Sequence, residues 1–192
     1  MIGSHNSWSY LKPTKWWMRL FAFTAKCQTY DIKTQYNDYG VRMFDLRIRF
    51  NEDGSPIICH GLMEYKYDIT DLYSDLDWLD SQEDVTIRYL LELRGNYCNT
   101  EEWQREQFIK FYENTKFLYR KLNWAEGRDL PDFDRLIFDI PEVNIVEKYS
   151  SVCPPKIIDD WWPWLYAKLH NKKNKEKYEN DNCYLLIDYV NI

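Results

Sequence analysis

Apolar and charged residues alternate along residues 41–49 (VRMFDLRIR), which is the pattern of a β-strand with one polar face. Shorter apolar runs elsewhere in the chain have the length of buried strands. An Asn-Glu-Asp-Gly-Ser segment after the first run predicts a tight turn, because glycine tolerates the positive φ that turns require. The strands predicted in this way comprise residues 41–49, 56–60, 85–93, 135–140, 156–160 and 184–190.

Three segments between these strands have the three- and four-residue apolar spacing of amphipathic helices. The longest, residues 100–122, begins with a threonine and acidic residues that suit a helix N-terminus. Shorter helices are predicted at residues 68–79 and 164–178. Strands separated by helices in this order predict an α/β fold with a largely parallel sheet. No repeat or linker-like stretch divides the chain, so we expect a single domain over residues 1–192.

The composition restricts the classes of function. The 192 residues include 25 basic and 31 acidic side chains, for a net charge of −6. An acidic chain without a long Lys/Arg stripe does not suit nucleic-acid binding, and no apolar run approaches the roughly 20 residues of a membrane span. The five scattered cysteines do not have the spacing of zinc ligands and indicate reduced thiols.

The N-terminus does not have the pattern of a signal peptide, because polar residues follow Met1 almost at once. The compartment therefore stays open at this point. We expect a cytoplasmic protein if Met1 is the native start, and a secreted one if a leader was removed before it. We expect a monomer in either case.

Two of the three histidines, His5 and His60, follow short apolar stretches. In a parallel α/β fold, side chains at the carboxyl ends of strands project into the crevice where ligands bind. A single such histidine is more often a buried, hydrogen-bonded residue. Two of them favour catalysis, because a pair of imidazoles that titrate near neutral pH can act as base and acid in one reaction.

Charged side chains in the predicted strands supply further candidates. Asp45 and Arg47 lie on one face of their strand, where the planar guanidinium suits phosphate oxygens and the carboxylate can hold it in position. A surface ion pair is the alternative, but the apolar neighbours indicate a buried strand. Glu92 and Arg94 repeat the same spacing. Asp188 lies inside an apolar run (LLIDYV), where an unpaired carboxylate is costly, so we expect a histidine partner.

Taken together, these motifs resemble the X region of phosphatidylinositol-specific phospholipase C. The resemblance rests on GSHNS at residues 3–7, GVRMFDLRI at 40–48 and CHG at 59–61, in this order and at the family's spacing. Residues 35–40 (QYNDYG) are similar to the family's glutamine-led helix, and LLIDYV is similar to the closing strand of the bacterial enzymes. Residues 100–155 contribute little to the resemblance.

The resemblance implies a distorted, compact TIM-type (β/α) barrel, although the chain is short beside the typical length of about 250 residues. It implies that His5 is the general base for the inositol 2-hydroxyl and that His60 is the acid for the leaving oxygen. Arg47 would stabilise charge on the phosphoryl oxygens, Asp188 would orient the base, and Asp45 would bridge to Arg47 or to the acid. The product would be a cyclic phosphodiester.

The chain also departs from the family's pattern. Asn6 stands where bacterial members usually carry an aspartate, and it resembles the asparagine that the animal enzymes use as a calcium ligand. The animal pattern needs further carboxylates at the positions of Arg47 and Arg94, where two guanidinium groups would instead repel the ion. We therefore expect a site without metal or other cofactor, in which Asn6, Glu92 and Arg94 bind substrate. Calcium bound through Glu92 is the weaker alternative.

Two tryptophan-containing segments have two readings each. Asp160 and Trp162 match loosely the aspartate and aromatic residue that grip the inositol ring in bacterial members, but the tryptophans could equally pack a helix onto the barrel. Residues 16–23 (WWMRLFAF) could make transient contact with a membrane surface. We expect instead that they form a buried first helix, because so large an apolar patch is rarely left in water.

The sequence therefore predicts a phosphodiesterase, specifically a phosphorus–oxygen lyase that acts on phosphatidylinositol or a related phosphodiester. One alternative is an enzyme for a different head group, since the two histidines and the arginine select the phosphate and not the alcohol. Another is a lipid- or sugar-phosphate-binding module without turnover. A glycerophosphodiester phosphodiesterase is disfavoured, because the Asp-Leu-Arg segment replaces the acidic metal-binding pair that it would need.

Overall fold

A computed structural model of the chain describes residues 1–94, 97–115, 123–126, 136–139 and 144–192. The strands are β1 (Ile2–Ser4), β2 (Lys12–Pro13), β3 (Val41–Phe50), β4 (Pro56–His60), β5 (Met63–Lys66), β6 (Thr86–Leu91), β7 (Asn123–Glu126), β8 (Leu136–Asp139), β9 (Asn144–Val146) and β10 (Cys183–Ile187). The helices are a 3₁₀ helix (Trp16–Thr24), α1 (Ile32–Tyr39), α2 (Ile69–Asp80), α3 (Glu101–Thr115), α4 (Ile157–Asp160) and α5 (Pro163–Tyr178).

The described strands form one mixed sheet. Its centre is parallel, in the order β9–β10–β1–β3–β6. Beyond β6, strands β8 and β7 pair in antiparallel fashion, and a second antiparallel branch runs from β3 through β4 and β5 to β2. The α/β class is confirmed, but the expectation of a largely parallel sheet holds only for the centre. Within the described residues β9 and β7 do not pair, so the sheet is open and the predicted barrel is not confirmed.

Local sequence explains the best-predicted elements. The Asp31 side chain accepts a hydrogen bond from the Thr34 amide and caps α1, which ends at Gly40 with φ of 67°. Asp68 caps α2 in the same way. The turn between β3 and β4 contains Gly54 at φ of 79°, and this tight turn forces the two strands to be antiparallel.

Strand β3 is buried along almost its whole length because both of its faces are covered. Phe44, Leu46 and Ile48 belong to the main hydrophobic core. On the opposite face Asp45 and Arg47 are buried as well, although they are charged. A strand with one apolar and one charged face, both withdrawn from solvent, indicates that the charged side chains serve one another or a ligand.

Several boundaries differ from the expectations. The helix predicted at 100–122 is observed over Glu101–Thr115, and its predicted end at 116–122 lies outside the described residues. The strand predicted at 85–93 is shortened to Thr86–Leu91, while that at 135–140 is observed as β8, its two end residues lying outside the described part. The helix at 164–178 begins one residue earlier.

The strand predicted at residues 156–160 is wrong, because this segment forms the short helix α4. The Lys156 amide donates to the Asp159 carboxylate, which caps the first turn, and Ile157 is 85% exposed instead of buried in a sheet. So short an apolar run does not contain enough positions to distinguish a period of two from one of 3.6.

The expectation of a buried first helix at residues 16–23 is also wrong. The segment forms a 3₁₀ helix of which only Met18 is buried, while Trp16 is 76% and Leu20 is 70% exposed. Among the described residues, no helix combines the length and the apolar character that crossing a membrane requires.

Candidate active site

The candidate site lies where β1 ends beside the charged face of β3. Ser4 pairs with Phe44 in the parallel register, so His5 follows at the level of Asp45. Gly3 lies close to the neighbouring strand, because a Cβ there would lie 2.8 Å from Leu186 Cδ1 and would require that side chain to move. The Ser7 amide donates to the Asp45 carbonyl and fixes the loop that carries His5.

His5 is held from both sides of its ring. Its Nδ1 lies 2.6 Å from Asp188 Oδ1, and its Nε2 lies 2.6 Å from Arg47 Nη2. Because arginine can only donate, Nε2 accepts, and the ring proton therefore lies on Nδ1 and is donated to Asp188. This tautomer leaves Nε2 as the basic nitrogen, and the histidine partner predicted for Asp188 is His5.

Asp188 is an ionised carboxylate in a buried position beside His5. Burial disfavours its ionised form, but the charge of His5 and its hydrogen bond outweigh that effect and hold the pKa of Asp188 below its usual range. The carboxylate is 2% exposed, directly after β10. A buried carboxylate at this position holds the imidazole ring of His5 in one orientation.

His60, the last residue of β4, brings a second imidazole to the site. Its ring centroid lies 5.6 Å from that of His5, with the ring planes at 88°. Nδ1 of His60 donates to the Ala25 carbonyl at 2.8 Å, so Nε2 is the nitrogen left for proton exchange. Burial, followed by the charges of Arg47 and His5, lowers the pKa of His60 well below its usual value. His60 arrives on an antiparallel hairpin strand, and not at the end of a parallel strand as expected.

Arg47 lies at the centre of the charged cluster. Its Nε donates to Asp45 Oδ2 at 2.8 Å, and its Nη1 lies 3.8 Å from Glu92 Oε2. Burial disfavours the charged carboxylate of Asp45, but Arg47, Arg88 and His5 outweigh it and lower the pKa of Asp45. The guanidinium is thus positioned by carboxylates and directed at His5, where a phosphate would lie.

Asn6 follows His5 and has a positive φ of 44°. The backbone amide of Asn6 donates to Asp45 Oδ2. Within the described residues, neither Nδ2 nor Oδ1 of its buried side chain has a hydrogen-bond partner. Buried polar groups are rarely left unsatisfied, so this side chain is available to a ligand.

Two charged residues of the site were not anticipated. Arg88 on β6 pairs in register with Asp45, and its Nη1 lies 2.5 Å from Glu147 Oε1. Burial disfavours the charged form of Glu147, but Arg88 and then Arg47 outweigh it and lower the pKa of Glu147 to about 2. Arg88 on β6 has the same strand parity as Glu92 just after it, and this alternation was a usable signal for Arg88. Glu147 follows a strand of only three residues.

Glu147→Gln is expected to lower the free energy of unfolding by roughly 3 kcal/mol at pH 7, because the pKa of Glu147 in the unfolded chain returns to its usual value. The folded pKa is depressed, so this stabilisation is complete above about pH 4.5 and is lost as the pH falls toward 2. Urea unfolding at pH 7 and pH 3 measures the difference. The exposed Glu113→Gln on α3 is the matched control, and an equal effect of both variants at pH 7 would contradict the assignment.

The remaining predicted substrate residues, Asp160 and Trp162, contact other side chains. Asp160 Oδ1 accepts from Lys148 Nζ at 2.8 Å and from the Tyr149 hydroxyl at 2.5 Å. Trp162 packs on Phe23, with ring centroids 6.0 Å apart. The structure therefore does not bring Asp160 and Trp162 into contact with the central cluster.

Lys148, a further residue that sequence reasoning missed, connects Asp160 with the site. Burial disfavours its charged form, but Asp188 and Asp160 outweigh it and raise the pKa of Lys148. The Arg94 side chain is exposed. It lies beside Gly61, the residue after His60, because a Cβ at Gly61 would lie 3.7 Å from Arg94 Cδ. Lys148 and Arg94 thus place positive charge around the central cluster.

The donor set at the centre does not suit calcium. Asn6, Asp45 and Glu92 supply oxygen atoms, but the Arg47 guanidinium lies within 2.8 Å of Asp45 and 3.8 Å of Glu92. Calcium requires six to eight oxygen ligands, and a guanidinium between them adds repulsion.

The fold is similar to that of solved enzymes. The structure of phosphatidylinositol-specific phospholipase C from Listeria monocytogenes aligns over 98% of this chain and 87% of its own, with a TM-score of 0.58 and 15% identity. A variant of the Staphylococcus aureus enzyme aligns over 98% of this chain and 84% of its own, with a TM-score of 0.60 and 17% identity. A third alignment, to another S. aureus structure of this enzyme, spans 66% of this chain and only 41% of that chain, with a TM-score of 0.48.

No family model matches the chain, and no curated protein matches it significantly in sequence. The similarity is thus one of structure at low identity, and it extends over nearly the whole chain. The fold of this protein is similar to that of the bacterial phosphatidylinositol-specific phospholipases C.

Proposed function

We propose that this protein is a phosphodiesterase that cleaves phosphatidylinositol, or a related phosphodiester with a hydroxyl next to the phosphate, without a metal ion. The observation that carries the proposal is the pair of imidazoles, His5 and His60, at 5.6 Å with a guanidinium nitrogen 2.6 Å from the first. Such a group can hold one phosphate between a base and an acid. The shared fold with enzymes of this activity supports the same conclusion.

In the proposed first half of the reaction, Nε2 of His5 takes the proton from the substrate hydroxyl next to the phosphate. The oxygen then attacks phosphorus, and Arg47 stabilises the charge that develops on the phosphoryl oxygens. For this the guanidinium moves its hydrogen bond from His5 to the phosphate. Asp188 stabilises the imidazolium, as the short bond at Nδ1 allows.

In the second half, His60 gives a proton to the leaving alkoxide as its bond to phosphorus breaks. The products are a cyclic phosphodiester and a neutral alcohol, which is diacylglycerol when the substrate is phosphatidylinositol. The pKa of free His60 is low because burial and the charges of Arg47 and His5 oppose its protonation. A bound phosphodiester places negative charge beside all three groups and favours the protonated acid.

A panel of phosphodiesters, each assayed with and without EDTA, tests this proposal. We expect a water-soluble cyclic phosphate from phosphatidylinositol, at a rate that EDTA does not change. Turnover of another diester alone would indicate a different head group. Lipid binding without product from any diester would contradict the enzyme and favour a binding module.

We further propose that the exposed apolar side chains near the site contact a lipid surface. They form two neighbouring groups, here called the apolar rim, which comprises Trp16, Trp17, Leu20, Phe21 and Phe23 of the 3₁₀ helix and Ile157, Ile158, Trp161 and Trp162 around α4. The contact between Phe23 and Trp162 joins the two groups. Monomeric proteins rarely expose so much contiguous apolar surface, and aromatic side chains favour the membrane interface.

The double variant Trp16→Ala/Trp161→Ala is expected to weaken binding to phosphatidylinositol vesicles at least tenfold, because each large apolar side chain contributes about 1.5–3 kcal/mol when it leaves water. Vesicle co-sedimentation measures the change. Hydrolysis of a short-chain, monomeric substrate should remain within about twofold of the wild type. The exposed Tyr73→Ala on α2 is the control, and vesicle binding by the double variant that equals this control would contradict a lipid-contacting rim.

A further inference from the structure

A cysteine that the proposed reaction does not use lies against the base and its carboxylate. One ligand atom from each of His5, Cys27 and Asp188 lies within 4.8 Å of the other two. His5 Nδ1 is 2.6 Å from Asp188 Oδ1, and the Cys27 sulfur lies 3.5 Å from the Ala25 carbonyl oxygen and 3.7 Å from His60 Nδ1. Imidazole, thiolate and carboxylate are the ligands of zinc in proteins, where tetrahedral donor atoms lie about 3.5 Å apart.

We propose that His5, Cys27 and Asp188 form a zinc site whose occupation switches the enzyme off. The sulfur donor selects zinc over calcium or magnesium, which require oxygen ligands in larger number. Three protein ligands leave the fourth tetrahedral position to water.

The charges of the site are compatible with a bound ion. On binding, the Cys27 thiol loses its proton to solvent as the zinc–sulfur bond forms, and the Asp188 carboxylate is already ionised. Thiolate and carboxylate together neutralise Zn²⁺, so Arg47 and Lys148 face a neutral complex. A calcium site at Asn6 and Glu92 would not have this compensation, because Arg47 lies among its donors.

The ligands are held near one another before an ion binds, and the 2.6 Å hydrogen bond between His5 and Asp188 opens when both coordinate zinc. The Cys27 amide donates to Ser9 Oγ at 2.9 Å, and the Cys27 carbonyl accepts from the Tyr189 amide, next to Asp188. Cys27 and Asp188 are buried, while the His5 side chain keeps 15% of its surface exposed. An ion therefore enters over His5, from the side where substrate binds.

Occupation of this site is incompatible with the proposed reaction. Zinc on Nδ1 moves the ring proton to Nε2, so His5 cannot accept a proton from substrate. The Asp188 carboxylate is occupied by the ion in the same step. Inhibition rests on the proposed function, whereas zinc binding does not.

A cobalt titration tests the site without relying on activity. Co²⁺ takes the coordination of Zn²⁺ and gives near-ultraviolet charge-transfer absorption when a thiolate binds it. We expect this absorption in the wild type, its reversal by added Zn²⁺, and its loss in Cys27→Ala. Cys98→Ala, which removes a partly buried thiol elsewhere, is the matched control and should keep the wild-type spectrum.

The zinc affinities of two variants provide a second test of the site. Zinc should bind Cys27→Ala and Asp188→Asn at least tenfold more weakly than the wild type, and Ca²⁺ or Mg²⁺ should not displace Co²⁺. If Cys27→Ala does not fold, the Co²⁺ spectrum of the wild type and the zinc affinity of Asp188→Asn decide whether the site exists. Absence of the thiolate band, or its loss in Cys98→Ala alone, would overturn the site. A protein that binds zinc through Cys27 but cleaves no phosphodiester would keep the site and remove the proposed function.

Discussion

Replacement of His5 by alanine is expected to reduce turnover of phosphatidylinositol by about 10³-fold, because general acid–base catalysis contributes about 10²–10⁴ to such reactions. His5 Nε2 is the basic nitrogen of the site, since Asp188 holds the proton on Nδ1. The loss should appear in kcat, with little change in KM, as substrate is held mainly by Arg47 and the surrounding polar groups. Initial rates with phosphatidylinositol in mixed micelles measure both constants.

His170→Ala is the matched control for this experiment. His170 is the third histidine of the chain; it lies on α5 and is hydrogen-bonded to Asp159 of α4. This control should keep turnover within about twofold of the wild type. A His5→Ala variant that retains a tenth or more of the wild-type kcat would remove His5 from the mechanism.

Arg47→Lys is expected to lower kcat/KM by about 10²–10³-fold, the cost of losing one well-placed donor to a developing oxyanion. Lysine keeps the positive charge between Asp45 and Glu92, so the fold should remain intact. It cannot reproduce a planar fork that contacts a carboxylate and the phosphate position together. Circular dichroism and the urea midpoint would verify folding before kinetics are compared.

Arg42→Lys is the control for this substitution, because Arg42 lies on the same strand and pairs with the exposed Asp84 outside the site. It should leave kcat/KM unchanged. Activity of Arg47→Lys within about fivefold of the wild type would show that the guanidinium does not stabilise the transition state, and that the buried ion pair serves the fold alone.

The polar part of the site was largely predictable from the sequence, for a physical reason. A carboxylate in an apolar run needs a partner, which predicted a histidine beside Asp188, although the strand expected at 184–190 ends at Ile187. Alternation predicted Asp45 and Arg47 on one face of their strand. The structure places these residues together with His60. Their catalytic roles remain predictions.

The parts that sequence reasoning missed belong to very short elements. Strand β9 has three residues, too few for a periodic pattern, so Glu147 and Lys148 beyond it were not recognised. The apolar segment at α4 was assigned to a strand for the same reason. Such segments obtain their conformation from tertiary contacts and caps, which a local pattern does not contain.

Residues 16–23 illustrate a second limit. An apolar stretch of this kind is usually buried, but the expectation of burial is wrong for this segment. Here the segment packs against Trp162 through Phe23, and within the described part of the chain its other large side chains stay exposed, apart from Met18. Whether an apolar segment is covered depends on the whole fold and on what the protein binds, not on the segment alone.

In the proposed reaction, the hydroxyl next to the phosphate attacks phosphorus while two facing imidazoles move the protons and Arg47 lies beside them. Phosphorus-31 NMR of phosphatidylinositol during reaction with the wild type, His5→Ala and His60→Ala tests it most directly. We expect the resonance of a cyclic inositol phosphate to appear with the wild type and to be absent with either variant over the same period. A non-cyclic phosphate as the first product, or undiminished cyclic product from either variant, would contradict the account.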